Sequence, residues 1–271
     1  MQILPGVDLQ NYKSRFRLQN GKWAYIQSDE FAQAARSHID RVRRAWDPPG
    51  HFYHFNKGGH VAALQLHMHS PWLAKLDLSQ FFSRVSRHRL TRCLKRAGYS
   101  FNEAEEFAMA STVWANTSTK QFSLPFGFAQ SPILAALALD MSELGRCLRQ
   151  EQEQNVKLSV YVDDIIVSGD TEETVSESIR KLRISAHRSQ FPLNEAKCIG
   201  PSDSLRAFNI RIGGGSMVIE ADRFEEMCQV VLYSGAGTTS DGILSYVHSV
   251  NDLQAEQMME SFPRSFPNLR N

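Results

Sequence analysis

Apolar residues recur along this chain with two different periods. Between Ser28 and Trp46 they fall at Phe31, Ala35, Ile39, Val42 and Trp46, the spacing of one helix face, and Pro48-Pro49-Gly50 then stops the helix. Further helices are predicted over 86–97, where Ser86 is a ready cap and Gly98 a stop, and over 102–117, 131–150 and 171–189. Shorter apolar runs predict strands at 158–162, 165–168 and 205–212. His67 and His69 alternate with Leu66 and Met68 as a strand would place them. Helices interleaved with a few short strands imply an α+β fold, a small antiparallel sheet flanked by helices. The chain has no internal repeat and no low-complexity linker, and Gly213-Gly214-Gly215-Ser216 reads as a hinge.

Candidate chemistry sits in the run from Lys157 to Gly169. Apolar residues flank Tyr161-Val162-Asp163-Asp164, so two adjacent carboxylates stand at the tip of a buried hairpin. Paired carboxylates repel unless a cation lies between them, and divalent ions take such hard oxygen ligands. Taken alone, the pair is equally an ordinary turn. A third acid, Asp77, ends the apolar stretch from Ala74 and precedes Phe81 and Phe82. Two-metal phosphoryl transfer needs carboxylates that converge from separate strands, which makes Asp77 a candidate ligand, though an Asp at a strand end is also a common cap. Between the two motifs, Leu124-Pro125-Phe126-Gly127-Phe128-Ala129-Gln130-Ser131-Pro132 reads as a loop feeding an apolar helix, with Ser131 as a cap and Pro132 in the first turn.

At this point the chain resembles the reverse transcriptases. LDLSQFF is similar to their first palm motif, LPFGFAQSP to their LPQGxxxSP motif and YVDD to their YxDD box, in the family's order. Phe191 to Lys197 resembles the family's L-x-x-N-x-x-K segment, and Leu205 to Ile212 sits where a strand pair gripping the primer is expected. The resemblance covers roughly 50 to 215 and implies a right-hand polymerase. Fingers would come from 1–74 and 100–123, palm from 75–99 and 124–215, and a short thumb or partner-binding segment from 216–271. It further implies that Asp77, Asp163 and Asp164 hold two magnesium ions, or manganese in their place, with Asp77 and Asp163 the more direct ligands. Phe82 would be an aromatic gate against the 2′-hydroxyl, while Phe81 reads as core. Lys197 would protonate the leaving pyrophosphate, and Tyr161, Gly127, Gln130 and Lys57 would contact substrate.

The chain also departs from the family pattern. Phe126 replaces the usual glutamine, with Gln130 a possible substitute across the loop, and in Asn56 to Leu66 only Lys57 is an obvious triphosphate cation, with His60 where an arginine is sought. These departures resemble divergent bacterial, retron-like or phage-defence-associated enzymes. The implied partners are an RNA template or noncoding RNA, a DNA product and deoxynucleoside triphosphates, with a partner protein or second copy assisting a reduced thumb.

Composition refines this reading in three places. A formal net charge of +1 is low for a nucleic-acid binder, so the positive charge must be local, as in Arg84, Arg87, Arg89, Arg92, Lys95 and Arg96. The sequence lacks a membrane-spanning apolar run and a leader pattern, and a cytoplasmic protein is expected. Four scattered cysteines form no CxxC pair and read as reduced thiols in or near the core, while His51, His54, His60, His67 and His69 fit no zinc spacing. The expected function is templated deoxynucleotide addition by two-metal transfer in an antiviral defence system. The alternatives are a silent palm scaffold and a palm-fold nucleotide cyclase.

Overall fold

The computed structural model describes residues 11–19, 21–115, 121–154 and 156–266. In chain order the elements are β1 (Tyr12–Arg17), β2 (Trp23–Gln27), α1 (Asp29–Ala45), α2 (Gly59–His67), β3 (Trp72–Asp77), α3 (Phe81–Arg84), α4 (Arg87–Arg96), α5 (Phe101–Ser111), β4 (Val113–Ala115) and β5 (Gln121–Ser123). There follow α6 (Ser131–Asp140), α7 (Glu143–Gln152), β6 (Lys157–Tyr161), β7 (Asp164–Gly169), α8 (Glu172–Arg188), β8 (Ile199–Ser202), β9 (Ser204–Ala207), β10 (Ile210–Gly213), β11 (Ser216–Ile219), α9 (Ala221–Ser234), α10 (Thr238–Val250) and α11 (Asp252–Ser261).

Local chemistry explains most of the boundaries. Helix α1 begins after Ser28 with Asp29 and Glu30 in its first turn and carries Arg43 and Arg44 in its last, charges that complement the helix dipole at both ends. Ser86 Oγ accepts the Arg89 N–H at 3.2 Å to open α4, and Ser100 with Glu103 forms a capping box on α5. Helix α6 starts at Ser131 with Gln130 as its N-cap, and that residue makes no side-chain capping bond; Ser131 is therefore not the cap its sequence suggests. All of α6 but Pro132 is buried, as expected of a helix apolar on every side.

Several sequence expectations are corrected. The helix expected over 102–117 ends at Ser111, and Val113–Ala115 instead pairs antiparallel with Gln121–Ser123; residues 116 and 117 lie outside the described residues. The helix expected over 131–150 is two helices. Gly145 marks the restart, because a Cβ there would stand 2.3 Å from the Asp140 carbonyl oxygen. The alternation around His67 is helical, with His67 the last residue of α2. Gly213 to Ser216 is the tight turn of the β10–β11 hairpin, not a hinge: Gly213 pairs with Ser216, and Gly214 and Gly215 take φ 58 and 79.

Packing divides the chain into two units. One comprises 1–52, 78–150 and 182–193; the other 53–77, 151–181 and 194–271. In the first, α4 packs on α5 and α6, and Trp46 Nε1 donates to the buried Asp140 carboxylate at 2.9 Å, which also pairs with Arg149. The second holds a four-stranded antiparallel sheet ordered β6-β7-β3-β8 and a three-stranded sheet ordered β11-β10-β9. Its core joins Val61 and Leu64 of α2, Leu73, Ile166 and the inward faces of β9 to β11 with Met227, Val231, Leu244, Val247 and Met258. Residues 53–74, assigned to the fingers from sequence, thus cluster with the hairpin strands. Cys93, Cys147 and Cys228 are buried and Cys198 is partly so, all as free thiols.

Candidate active site

The four-stranded sheet brings the acidic motifs into one row. Strand β7 pairs with β3 in a register that sets Asp164 directly opposite Asp77, and with β6 in a register that sets Asp164 opposite Tyr161. Directly paired residues share a face of the sheet, so Asp77, Asp164 and Tyr161 lie side by side across three strands. Asp163 is the second residue of the turn joining β6 to β7. Apolar residues pack both faces of these strands: Leu76, Val160, Ile165 and Val167 are buried on one, and Leu73 and Ile166 on the face that carries Asp77 and Asp164.

Two lysines balance the facing carboxylates. Lys75, two residues before Asp77 on the same face, reaches Asp164 Oδ1 at 3.0 Å, with side chains 12% and 16% exposed. Lys197 Nζ lies 3.5 Å from Asp77 Oδ2, with side chains 60% and 8% exposed. Lys197 arrives there because the Asn194 N–H donates to the Asp77 carbonyl at 2.9 Å, and the short turn Glu195–Lys197 follows. Burial raises the Asp164 carboxyl above the ordinary carboxylate range; Asp77 pushes the same way, and Lys75 and Lys197 oppose it. Among the described residues no three His, Cys, Asp or Glu side chains converge as a ready-made metal cage. The donor set nonetheless suits a divalent ion, since Asp77, Asp163 and Asp164 offer hard oxygens and outnumber the two lysines, leaving a charge excess that a cation offsets.

The segment around α2 supports the hairpin from below. His67 is fully buried, with Nδ1 2.8 Å from Ser168 Oγ on β7 and Nε2 2.8 Å from Ser159 Oγ on β6. Ser168 donates to Ser70 Oγ at 3.0 Å, so Nδ1–H donates to Ser168 and Nε2 accepts from Ser159. Burial, assisted by Lys157, pushes the His67 pKa down to about 3, so the ring is neutral. His54 Nδ1 accepts the Val162 N–H at 3.3 Å, and burial lowers its pKa to about 4. His60 faces Tyr161 and Phe208 with ring centroids 5.8 and 5.4 Å away, and its Nε2 lies 3.1 Å from Tyr246 Oη. It is thus a packing residue beside Tyr161 in this arrangement. Lys57 is exposed in the turn that precedes α2.

The loop residues belong to the other unit. The Tyr25 N–H donates to the Phe126 carbonyl at 2.8 Å, stitching the loop to β2. Gly127 is required by this contact: its φ is +100, and a Cβ would stand 2.3 Å from the Tyr25 carbonyl oxygen. Phe126 meets Phe82 edge to face at 4.8 Å and carries Lys22 Nζ over its ring at 4.8 Å. Phe81 and Phe82 are both buried. Gln130 is fully buried with Nε2 3.4 Å from Ser111 Oγ, so the idea that it substitutes for the missing loop glutamine by reaching substrate is not met as it stands.

Lys75, His54 and His67 have roles at the hairpin that the sequence did not assign them. Lys75 was legible as a charged residue two positions from Asp77, the strand period. The histidines carried no such signal, because their partners lie about a hundred residues away.

A family model for reverse transcriptase (RNA-dependent DNA polymerase) matches residues 24–206, more than half of the chain and all of the candidate site residues. The chain belongs to the reverse transcriptase family. Among solved structures, the chain is similar to telomerase from Candida albicans in complex with a TWJ fragment of telomeric RNA, at 10% identity and TM-score 0.51, over 88% of this chain and 47% of that one. Apo telomerase from Candida Tropicalis gives 11% identity and TM-score 0.50 over 86% and 50%. A foamy viral protease-reverse transcriptase in complex with ds DNA gives 13% identity and TM-score 0.49 over 92% and 42%. The chain therefore spans about half the length of these proteins or less. At such identities the two telomerase likenesses speak to fold, that of polymerase fingers and palm. A search of curated proteins finds no match.

Proposed function

We propose that this member of the family acts as an RNA-directed DNA polymerase that adds deoxynucleotides to a 3′-hydroxyl, with Asp77, Asp163 and Asp164 holding two divalent ions. The observation that carries the reading is the register that sets Asp77 against Asp164, one residue from Asp163 at the turn. Magnesium, or manganese, would supply stabilisation of the charge on the attacking and leaving oxygens. The chain's own groups do the rest. Asp77 and Asp163 fix the position of the reacting groups, while Asp164, tied to Lys75, is the less available ligand. Lys197, more than half exposed, can leave Asp77 and give its proton to departing pyrophosphate. Phe82, which meets Phe126 edge to face, would be the aromatic gate that the family resemblance implies, and Lys57, exposed in its turn, would meet a triphosphate.

The reading extends to partners. Deoxynucleoside triphosphates are the substrates, an RNA template or noncoding RNA directs their addition, DNA and pyrophosphate are the products, and a partner protein or second copy completes the grip. Phe126 in place of the loop glutamine and the sparse cations of 56–66 support a divergent bacterial enzyme of antiviral defence. A palm-fold scaffold is the second reading, favoured by the internal lysine pairing of two carboxylates. Incubating the pure protein with an RNA-templated DNA primer, labelled deoxynucleotides and magnesium separates the two. Long DNase-sensitive product is expected; a small cyclic product, or none, contradicts the polymerase.

A further inference from the structure

Val162 opens the two-residue turn between β6 and β7 with φ 58. A β-branched residue in the left-handed region is strained, and a turn that needs positive φ at this position ordinarily takes glycine. Such a conformation persists only where its surroundings over-determine it. The Val162 N–H donates to His54 Nδ1 at 3.3 Å, a bond spanning 108 positions in sequence. The imidazole is itself fixed: its ring lies against Phe55 with centroids 4.0 Å apart and edge-on to Tyr161 at 6.0 Å. The turn Tyr53–Phe55 is bonded onward to the start of α2 through Asn56 N–H to the Tyr53 carbonyl at 3.0 Å and Gly59 N–H to the Asn56 carbonyl at 3.1 Å. Helix α2 in turn is bolted to both hairpin strands through His67, Ser159 and Ser168.

We infer that His54 is a positioning residue for the acidic turn: by accepting the Val162 N–H it holds that residue in its left-handed conformation and so sets the direction in which the Asp163 carboxylate leaves the backbone. The inference rests on the polymerase reading of Asp163. Asp163 is one peptide beyond Val162, so a change of the Val162 dihedrals swings its carboxylate directly. The Tyr161 ring, held on one side by His54, restricts the other end of the turn. His54 touches neither substrate nor the reacting atoms.

The test is a double-mutant cycle on primer extension. Glycine adopts positive φ without penalty, so V162G removes the strain that the clamp resists. H54A is expected to lower kcat by about tenfold and raise the magnesium concentration for half-maximal rate, with most of that loss absent in the V162G background. Equal losses in both backgrounds, or no loss in either, overturn the inference. Should H54A fail to fold by circular dichroism, H54Q and H54F serve instead. The glutamine keeps an acceptor without the ring and is expected to outperform the phenylalanine, which keeps a ring without the acceptor; the reverse order overturns the clamp. An inactive wild-type protein would instead contradict the polymerase reading itself.

Discussion

At Gly127 two constraints meet in one residue. Its φ of +100 disfavours any side chain, and the Tyr25 carbonyl occupies the space a Cβ would need. G127A is therefore expected to destabilise the protein by more than about 1 kcal/mol and lower its melting temperature by about 2 °C or more, read by thermal circular dichroism; an unchanged melt would contradict the close approach. This glycine was visible in the sequence as part of a family-like loop, with its role read as substrate contact. What the loop sequence could not reveal was the strand it lies on, since β2 comes about a hundred residues earlier. Asp77, Asp163 and Asp164 were legible for the opposite reason. Each ends or joins a short apolar strand, so its placement follows from local pattern and the buried register.

Among the elements, the β6–β7 hairpin and helices α1, α4 and α8 were legible because apolar period and end signals agree. Where they conflict, the sequence misleads. Val113 and Trp114 continue an apolar spacing after α5, but the ladder to Gln121–Ser123 takes them as strand. The end of α2 was misread as strand because His67 serves a buried network and not an amphipathic face. That network has a pH consequence. Folding lowers the His67 pKa from 6.5 to about 3 and that of His54 from 6.5 to about 4. The folded state excludes protons that the unfolded chain binds, so stability is full above about pH 6.5 and falls as pH drops from there toward 3 to 4. The urea midpoint is expected to decrease between about pH 7.5 and pH 5, and the decrease is expected to be smaller in H67Q; equal decreases would contradict a neutral buried His67.

For the whole molecule, a family match over residues 24–206 and an overall charge of only +1 have to be reconciled. Local charge does this: His88, Arg92, Lys95 and Arg96 are exposed together on α4, while many of the acids are paired, as Glu103 is with Arg41 and Glu151 with Lys181. Both units build their own cores, and the carboxylate row sits on the sheet of one of them. The order of three motifs made the fold class legible at this scale, while the division into units was not, because it depends on which faces of α2 and β9 to β11 pack together. The central claim is that the three aspartates perform the chemistry. It is tested most directly by the rate of single deoxynucleotide addition to a DNA primer on an RNA template with magnesium, measured for the wild type, D77N and D163N at matched circular dichroism. Each substitution is expected to lower the rate by at least about a hundredfold. A rate within about tenfold of wild type in either variant would contradict it.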